Sequence, residues 1–196
     1  MSEHIEIEFK NLLTKTEYHM LLDYFQIASK QIKRQINHYF DTPMFSLKEG
    51  QLALRIREKA TDFEMTLKQP AIIGLLETNQ TLQKSDVQKF LQQGIIPVGE
   101  IKNKLFSLNI PVEDIHYFGT LTTDRVEMEY QGGTIVFDHS SYLNVEDFEI
   151  EYEVNEPITG ETIFHEVLAK FNIPIRKTKN KVQRFYQQKY EQGNEL

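Results

Sequence analysis

His4-Ile-Glu-Ile-Glu-Phe-Lys10 decides how the rest of the chain is read. Side chains on a strand alternate between faces, with a rise of about 3.3 Å per residue. Glu6, Glu8 and Lys10 therefore share one face, and Ile5, Ile7 and Phe9 share the other. The pattern recurs. In Leu52-Ala-Leu-Arg-Ile-Arg57, Arg55 and Arg57 oppose Leu54 and Ile56, and in Glu64-Met-Thr-Leu-Lys68, Glu64, Thr66 and Lys68 oppose Met65 and Leu67. Thr123, Arg125, Glu127 and Glu129 oppose Val126, Met128 and Tyr130; Asp147, Glu149, Glu151 and Glu153 oppose Phe148, Ile150, Tyr152 and Val154. A sheet built this way can lie open, with helices on its apolar side and its charges in water. It can also curl until the charged face lines a cavity and the apolar face packs outward against helices. Residue choice favours the cavity. Three of the six arginines, Arg55, Arg57 and Arg125, lie on these faces, whereas most lysines fall in loops and predicted helices. The planar, multi-donor guanidinium is the cation suited to phosphate oxygens.

With 196 residues and no Pro/Gly/Ser-rich linker, the chain is expected to form one domain over residues 1–196. A formal charge of −7 argues against nonspecific binding to nucleic acid or to an acidic membrane, so any polyanion must be met in a local pocket. The absence of cysteine excludes disulfides, thiolate metal sites and thiol nucleophiles. Met-Ser-Glu-His lacks the basic and apolar regions of a secretory signal, and no apolar run approaches the roughly 20 residues that span a bilayer. The expectation is a soluble cytoplasmic protein.

Helical spacing of Tyr18, Leu21, Leu22 and Phe25 after the Thr14-Lys-Thr-Glu17 cap predicts a helix to about Ala28. Further strands are predicted over Gln35–Asp41 and Leu75–Leu82, and helices over Ser85–Gln93 and from about Val98 to Leu108. Gly132-Gly133 signals a two-residue hairpin, and Asn144 a second turn. Thr159-Gly-Glu-Thr162 is expected to open a helix with an apolar stripe of Ile163, Phe164, Val167, Leu168 and Phe171, closed by Pro174. A helical tail from Lys177 would carry Lys177, Lys181 and Arg184 on one face. His165-Glu166 is followed by Ala169 where a zinc helix needs a second histidine, and neither Gly-rich phosphate motif occurs. Asp138-His139-Ser140 holds triad residue types, but neighbours on a strand point to opposite faces.

Together these residues resemble the CYTH, or triphosphate tunnel metalloenzyme, superfamily, which includes class IV adenylate cyclase, thiamine triphosphatase and inorganic triphosphatases. The resemblance rests on Glu6-Ile-Glu8-Phe-Lys10, then in order Tyr39-Phe-Asp41, Arg55-x-Arg57, Thr66-Leu-Lys68, Arg125, Asp138 after the glycine hairpin, Glu149-x-Glu151 and a basic C-terminal segment. It implies an α+β fold, an eight-stranded antiparallel tunnel barrel with helices outside, that holds a triphosphate with Mg²⁺ or Mn²⁺. Carried onto this sequence, it implies Glu6, Glu8, Glu149 and Glu151 as metal ligands, with Glu153 and Asp138 as additional acids. Lys10, Arg55, Arg57, Lys68, Arg125 and Lys181 would grip phosphates, and Lys10, Glu8 and Lys181 would be catalytic. The chain departs from the pattern at Thr123, where a basic residue is common, and at Glu77-Thr-Asn79, which offers an acid and no arginine.

A triphosphate carries roughly four negative charges, each costly to bury unpaired, so about as many cations must converge on it. The expected activity is metal-dependent hydrolysis of inorganic triphosphate or of a small organic triphosphate, thiamine triphosphate or a nucleotide. The alternatives are a polyphosphate- or nucleotide-binding module without turnover and a class IV type adenylate cyclase. The expected partner is the small-molecule triphosphate, with no nucleic acid and no membrane, and the chain acting as monomer or homodimer.

Overall fold

A computed structural model describes residues 2–193. Eight strands, β1 (Ser2–Leu13), β2 (Lys33–Asp41), β3 (Ala53–Glu58), β4 (Phe63–Pro70), β5 (Leu75–Leu82), β6 (His116–Tyr130), β7 (Gly133–Tyr142) and β8 (Val145–Val154), form an antiparallel sheet. Their hydrogen-bonding order, β1-β5-β4-β3-β2-β6-β7-β8, closes on itself as a barrel. Among the described residues six α-helices accompany them: α1 (Lys15–Tyr24), α2 (Ser46–Glu49), α3 (Lys84–Gln93), α4 (Glu100–Ser107), α5 (Pro157–Lys170) and α6 (Lys181–Gly193). No helix among the described residues is long and apolar enough to cross a membrane.

One compact unit comprises the chain up to Ile5 and Gln35–Leu121. In it β2 to β5 form a meander in which Tyr39 lies opposite Arg55, Arg55 opposite Thr66, and Thr66 opposite Asn79. The alternate residues Leu54, Ile56, Met65 and Leu67 join Phe40, Val87 and Phe90 of α3, and Ile101 and Leu105 of α4, in one core. Phe40 and Phe90 stack with ring centroids 4.0 Å apart. The buried Asp41 carboxylate accepts from the backbone N–H groups of Thr42 and Leu47 at 2.8 and 2.9 Å, which fixes the turn into α2.

The second unit comprises Glu6–Arg34 and the chain from Thr122 onward. Here β8 is flanked by β1 and β7, with Glu8 opposite Glu153, Lys10 opposite Glu151, and Asp138 opposite Glu149. Val126, Ile135, Phe137, Phe148, Ile150 and Tyr152 pack with Tyr18 and Leu21 of α1 and with Phe164, Val167 and Leu168 of α5. Each such side chain contributes about 1.5–3 kcal/mol on burial. The β6–β7 hairpin turns on Gln131 and Gly132, both at positive φ (43° and 84°), and Gly133 is already paired with Tyr130 in the ladder. The turn thus falls one residue before the expected Gly132-Gly133. A Cβ on Gly133 would stand 2.7 Å from the Tyr152 ring, so this glycine is needed for close approach rather than for the turn.

Helix ends differ from expectation for local reasons. α1 stops at Tyr24 because Gln26 adopts φ 54°, and the Ile27 N–H turns back to the Leu22 carbonyl. Asn172 at φ 53° ends α5 in the same way, with Ile173 N–H on Leu168 O. α5 also begins earlier than Thr159, at Pro157, whose fixed φ and missing N–H suit a first helical position. α6 starts at Lys181, not Lys177. Asn180 caps it, accepting from the Gln183 N–H at 2.9 Å, while the segment before it is tied down by Asn11 and Glu17.

Candidate functional site

The polar face of the second unit is not an open solvated surface. Asp138 and Glu149 are fully buried and Glu151 is 4% exposed, although all three belong to strands with an apolar core on their other side. Buried carboxylates persist only with cations beside them. Two sources supply these: Arg125 on β6, and Lys181 and Arg184, one turn apart on α6.

Arg125 forks onto Asp138, Nε to Oδ1 at 2.7 Å and Nη2 to Oδ2 at 2.6 Å, and Nη2 also donates to Glu151 at 2.7 Å. The Lys181 ammonium lies 2.6 Å from Asp138, 3.2 Å from Glu149 and 2.5 Å from Glu151. Arg184 binds the other Glu149 oxygen and both oxygens of Asp147, the latter at 3.0 and 3.2 Å. Tyr142 donates its hydroxyl to Asp147 at 2.8 Å. Burial works against the charge on Glu151 and Asp138, but Lys181 and Arg125 outweigh it, leaving Asp138 below and Glu151 well below the usual carboxylate range. For Lys181 and Arg125 burial is likewise outweighed by these carboxylates, and both are held above their usual values.

Along the same strands stands a second group of acids. Glu6, Glu8 and Glu153 each offer one carboxylate oxygen, and these oxygens lie within 4.8 Å of one another. Lys10 pairs with Glu8, two residues away on the same face of β1. Arg125 approaches Glu153 only to 3.8 Å, through Nη1. Burial and the nearby Glu6, Glu151 and Glu8 push Glu153 up to about 7 against the pull of Arg125. Three partly buried, hard oxygen donors at this spacing fit a divalent ion such as Mg²⁺ or Mn²⁺, whose charge would relieve their mutual repulsion. Lys10 keeps its proton more firmly than usual, because Glu8 and Glu151 more than offset its burial.

Of the residues expected to act together, the second unit therefore assembles Glu6, Glu8, Lys10, Arg125, Glu149, Glu151 and Lys181, but sorts them. Glu149 and Glu151 surround Lys181, while Glu6 and Glu8 group with Glu153. Arg55, Arg57 and Lys68 lie in the other unit, on the polar face of β3 and β4. There Arg57 donates to Asn37 at 2.9 Å and Lys68 pairs with Glu77. Glu77, the acid that stood out where an arginine is common, thus belongs to an ion pair. Arg184 lies on the basic stripe of the C-terminal segment, and the stripe alone does not assign it a role. Its spacing of three residues after Lys181 was the available signal.

The CYTH domain family matches residues 4–186. The chain is 48% identical over 190 residues to YjbK of Bacillus subtilis (strain 168), provisionally named a triphosphatase, covering 96% of this chain and 98% of that one. A crystal structure from Bacillus halodurans, provisionally named an adenylate cyclase, superposes with a TM-score of 0.92 at 44% identity, covering 95% of this chain and all of that one. HpAC1 from Hippeastrum, described as having a dominant triphosphatase activity, shares the fold with a TM-score of 0.79 at 20% identity, over 93% of this chain and 96% of that one.

Proposed function

The chain belongs to the CYTH domain family, and from that premise we propose that it hydrolyses the terminal phosphoanhydride of inorganic triphosphate or of a small organic triphosphate, thiamine triphosphate or a nucleotide, with Mg²⁺ or Mn²⁺. One observation carries the reading: a trio of acids suited to a hard cation adjoins fixed cations suited to phosphate, on one face of one sheet. The triphosphatase name of the Bacillus subtilis relative agrees with it.

Glu6, Glu8 and Glu153 would hold the divalent ion, which when bound supplies neutralising charge at phosphate oxygens and a water of lowered pKa. Lys10 is the cation placed to exchange its Glu8 oxygen for one of phosphate, and it remains protonated throughout the neutral range. Arg125 is held by Nε and Nη2, which leaves Nη1 facing Glu127 at 3.5 Å and Glu153 at 3.8 Å; that N–H pair can donate to an anion without disturbing the Asp138 fork. Such preorganised donors stabilise charge that builds on the transferring phosphoryl oxygens. Arg55, Arg57 and Lys68 are proposed as further phosphate-binding cations.

The test is a panel of triphosphates incubated with each metal. Orthophosphate should appear, and Glu8→Gln should cut the rate by about 100-fold. Arg57→Ala should lower it by about 10-fold or more. No phosphate from any triphosphate with either metal would sink the hydrolase. Cyclic AMP with pyrophosphate from ATP, in place of ADP with orthophosphate, would establish the cyclase.

A further inference from the structure

We propose that the Lys181 ammonium is a built-in cation that occupies the place of a second divalent ion among Asp138, Glu149 and Glu151, so that the substrate-free protein binds its divalent metal at Glu6, Glu8 and Glu153 alone. The inference rests on the metal reading above and specifies it.

The argument is a count of oxygens by name. Asp138 Oδ1 accepts from Arg125, and Oδ2 from Arg125 and Lys181. Glu149 Oε1 faces Lys181 and Oε2 faces Arg184. Glu151 Oε1 faces Lys181 and Oε2 faces Arg125. Every oxygen of the trio already has a cationic donor, in a place closed to water. A hard dication needs about six oxygen ligands at roughly 2.1 Å. It could gain these only by evicting the ammonium. Eviction is opposed by the seat of the helix itself, since Arg184 holds Glu149 and Asp147 one turn on, and Phe185 and Tyr186 are buried beside it. Without Lys181, Glu149 Oε1 and Glu151 Oε1 lose their cation and Asp138 Oδ2 keeps only Arg125, and a divalent ion can take the place of the lost charge.

The experiment counts bound Mn²⁺ in the full chain without substrate, by equilibrium dialysis with electron paramagnetic resonance of the free ion at pH 8. Wild type should bind one ion and lose it on Glu153→Gln. Lys181→Ala and Lys181→Gln should each bind one more than wild type, and Lys181→Arg, which keeps the charge, should not. A lysine variant that is unfolded by circular dichroism but folds on adding Mn²⁺ also supports the proposal. A folded Lys181→Gln that binds no more than wild type overturns it, as does wild type binding two ions. The two readings fail separately. If Glu153→Gln leaves wild-type binding unchanged while Lys181→Ala still gains an ion, the Glu6, Glu8 and Glu153 assignment falls and the role of Lys181 stands.

Discussion

Two trios of carboxylates occupy neighbouring stretches of the same sheet face, and they differ in how many cations reach them, although burial pushes one member of each, Glu149 and Glu153, up to about 7. Asp138, Glu149 and Glu151 are saturated by Arg125, Lys181 and Arg184; Glu6, Glu8 and Glu153 crowd one another with Lys10 on Glu8 and Arg125 at a distance. Residue type and strand position are alike, so neither sets the difference. It is set by which acids the helix α6 and the strand β6 reach. A saturated trio is a fastening, because its charges are spent on the protein. A crowded trio keeps a repulsion that a ligand can relieve, which is why it is the one proposed to bind the metal.

The largest expected effect follows from removing a member of the fastened trio. Asp138→Leu leaves Arg125 and Lys181 buried and short of a partner, and should lower stability by about 3–5 kcal/mol in urea unfolding. Loss of less than about 1 kcal/mol would mean that the saturated trio bears little of the fold. Next in size is the pH dependence of metal binding. With Glu153 at about 7, protons compete for the crowded trio below neutrality, so Mn²⁺ affinity should rise roughly tenfold between pH 6 and pH 8, with proton release on binding at the lower pH. Calorimetry in buffers of different ionisation enthalpy measures both, and a flat profile would remove Glu153 from the ligand set. The smallest effect has the opposite sign to the first. A folded-state value of about 7 lies above the unfolded value of 4.5, so the folded chain holds the extra proton, and metal-free stability falls as pH rises from about 4.5 to about 7. Glu153→Gln should remove the Glu153 share of that fall, leaving the share of Glu149, and raise metal-free stability at pH 8 by about 1 kcal/mol, after discounting for solvent screening of a partly open side chain.

Strand alternation was enough to read five of the strands and their polar face, because a period of two is a property of the backbone, while the closed barrel was implied by the family resemblance. The closed sheet and its helices agree with that reading. What the alternation could not rank was Asp147, Glu149, Glu151 and Glu153, which share one face of β8 at equal spacing. Their fates are separated by contacts from more than 20 residues away: Arg184 for Asp147, Lys181 for Glu149 and Glu151, and the cross-strand Glu8 for Glu153. The start of α6 was illegible for a related reason. Asn11 and Glu17, distant in sequence, hold the stretch around Arg176 in a non-helical path that helical spacing alone would have continued as helix.

That tie at Asn11 sets how far the last helix can travel. The buried amide of Asn11 accepts the Arg176 N–H at 2.6 Å and donates to the Pro174 carbonyl at 3.1 Å, and Arg176 itself forks onto Glu17. Only residues 177–180 separate this anchor from Lys181, a leash of about 17 Å when taut. A lysine on so short a leash is present at its acids at an effective concentration far above that of any free amine in solution. An α6 dislodged by a ligand would therefore find its seat again within the same molecule, and no peptide added from outside could take its place.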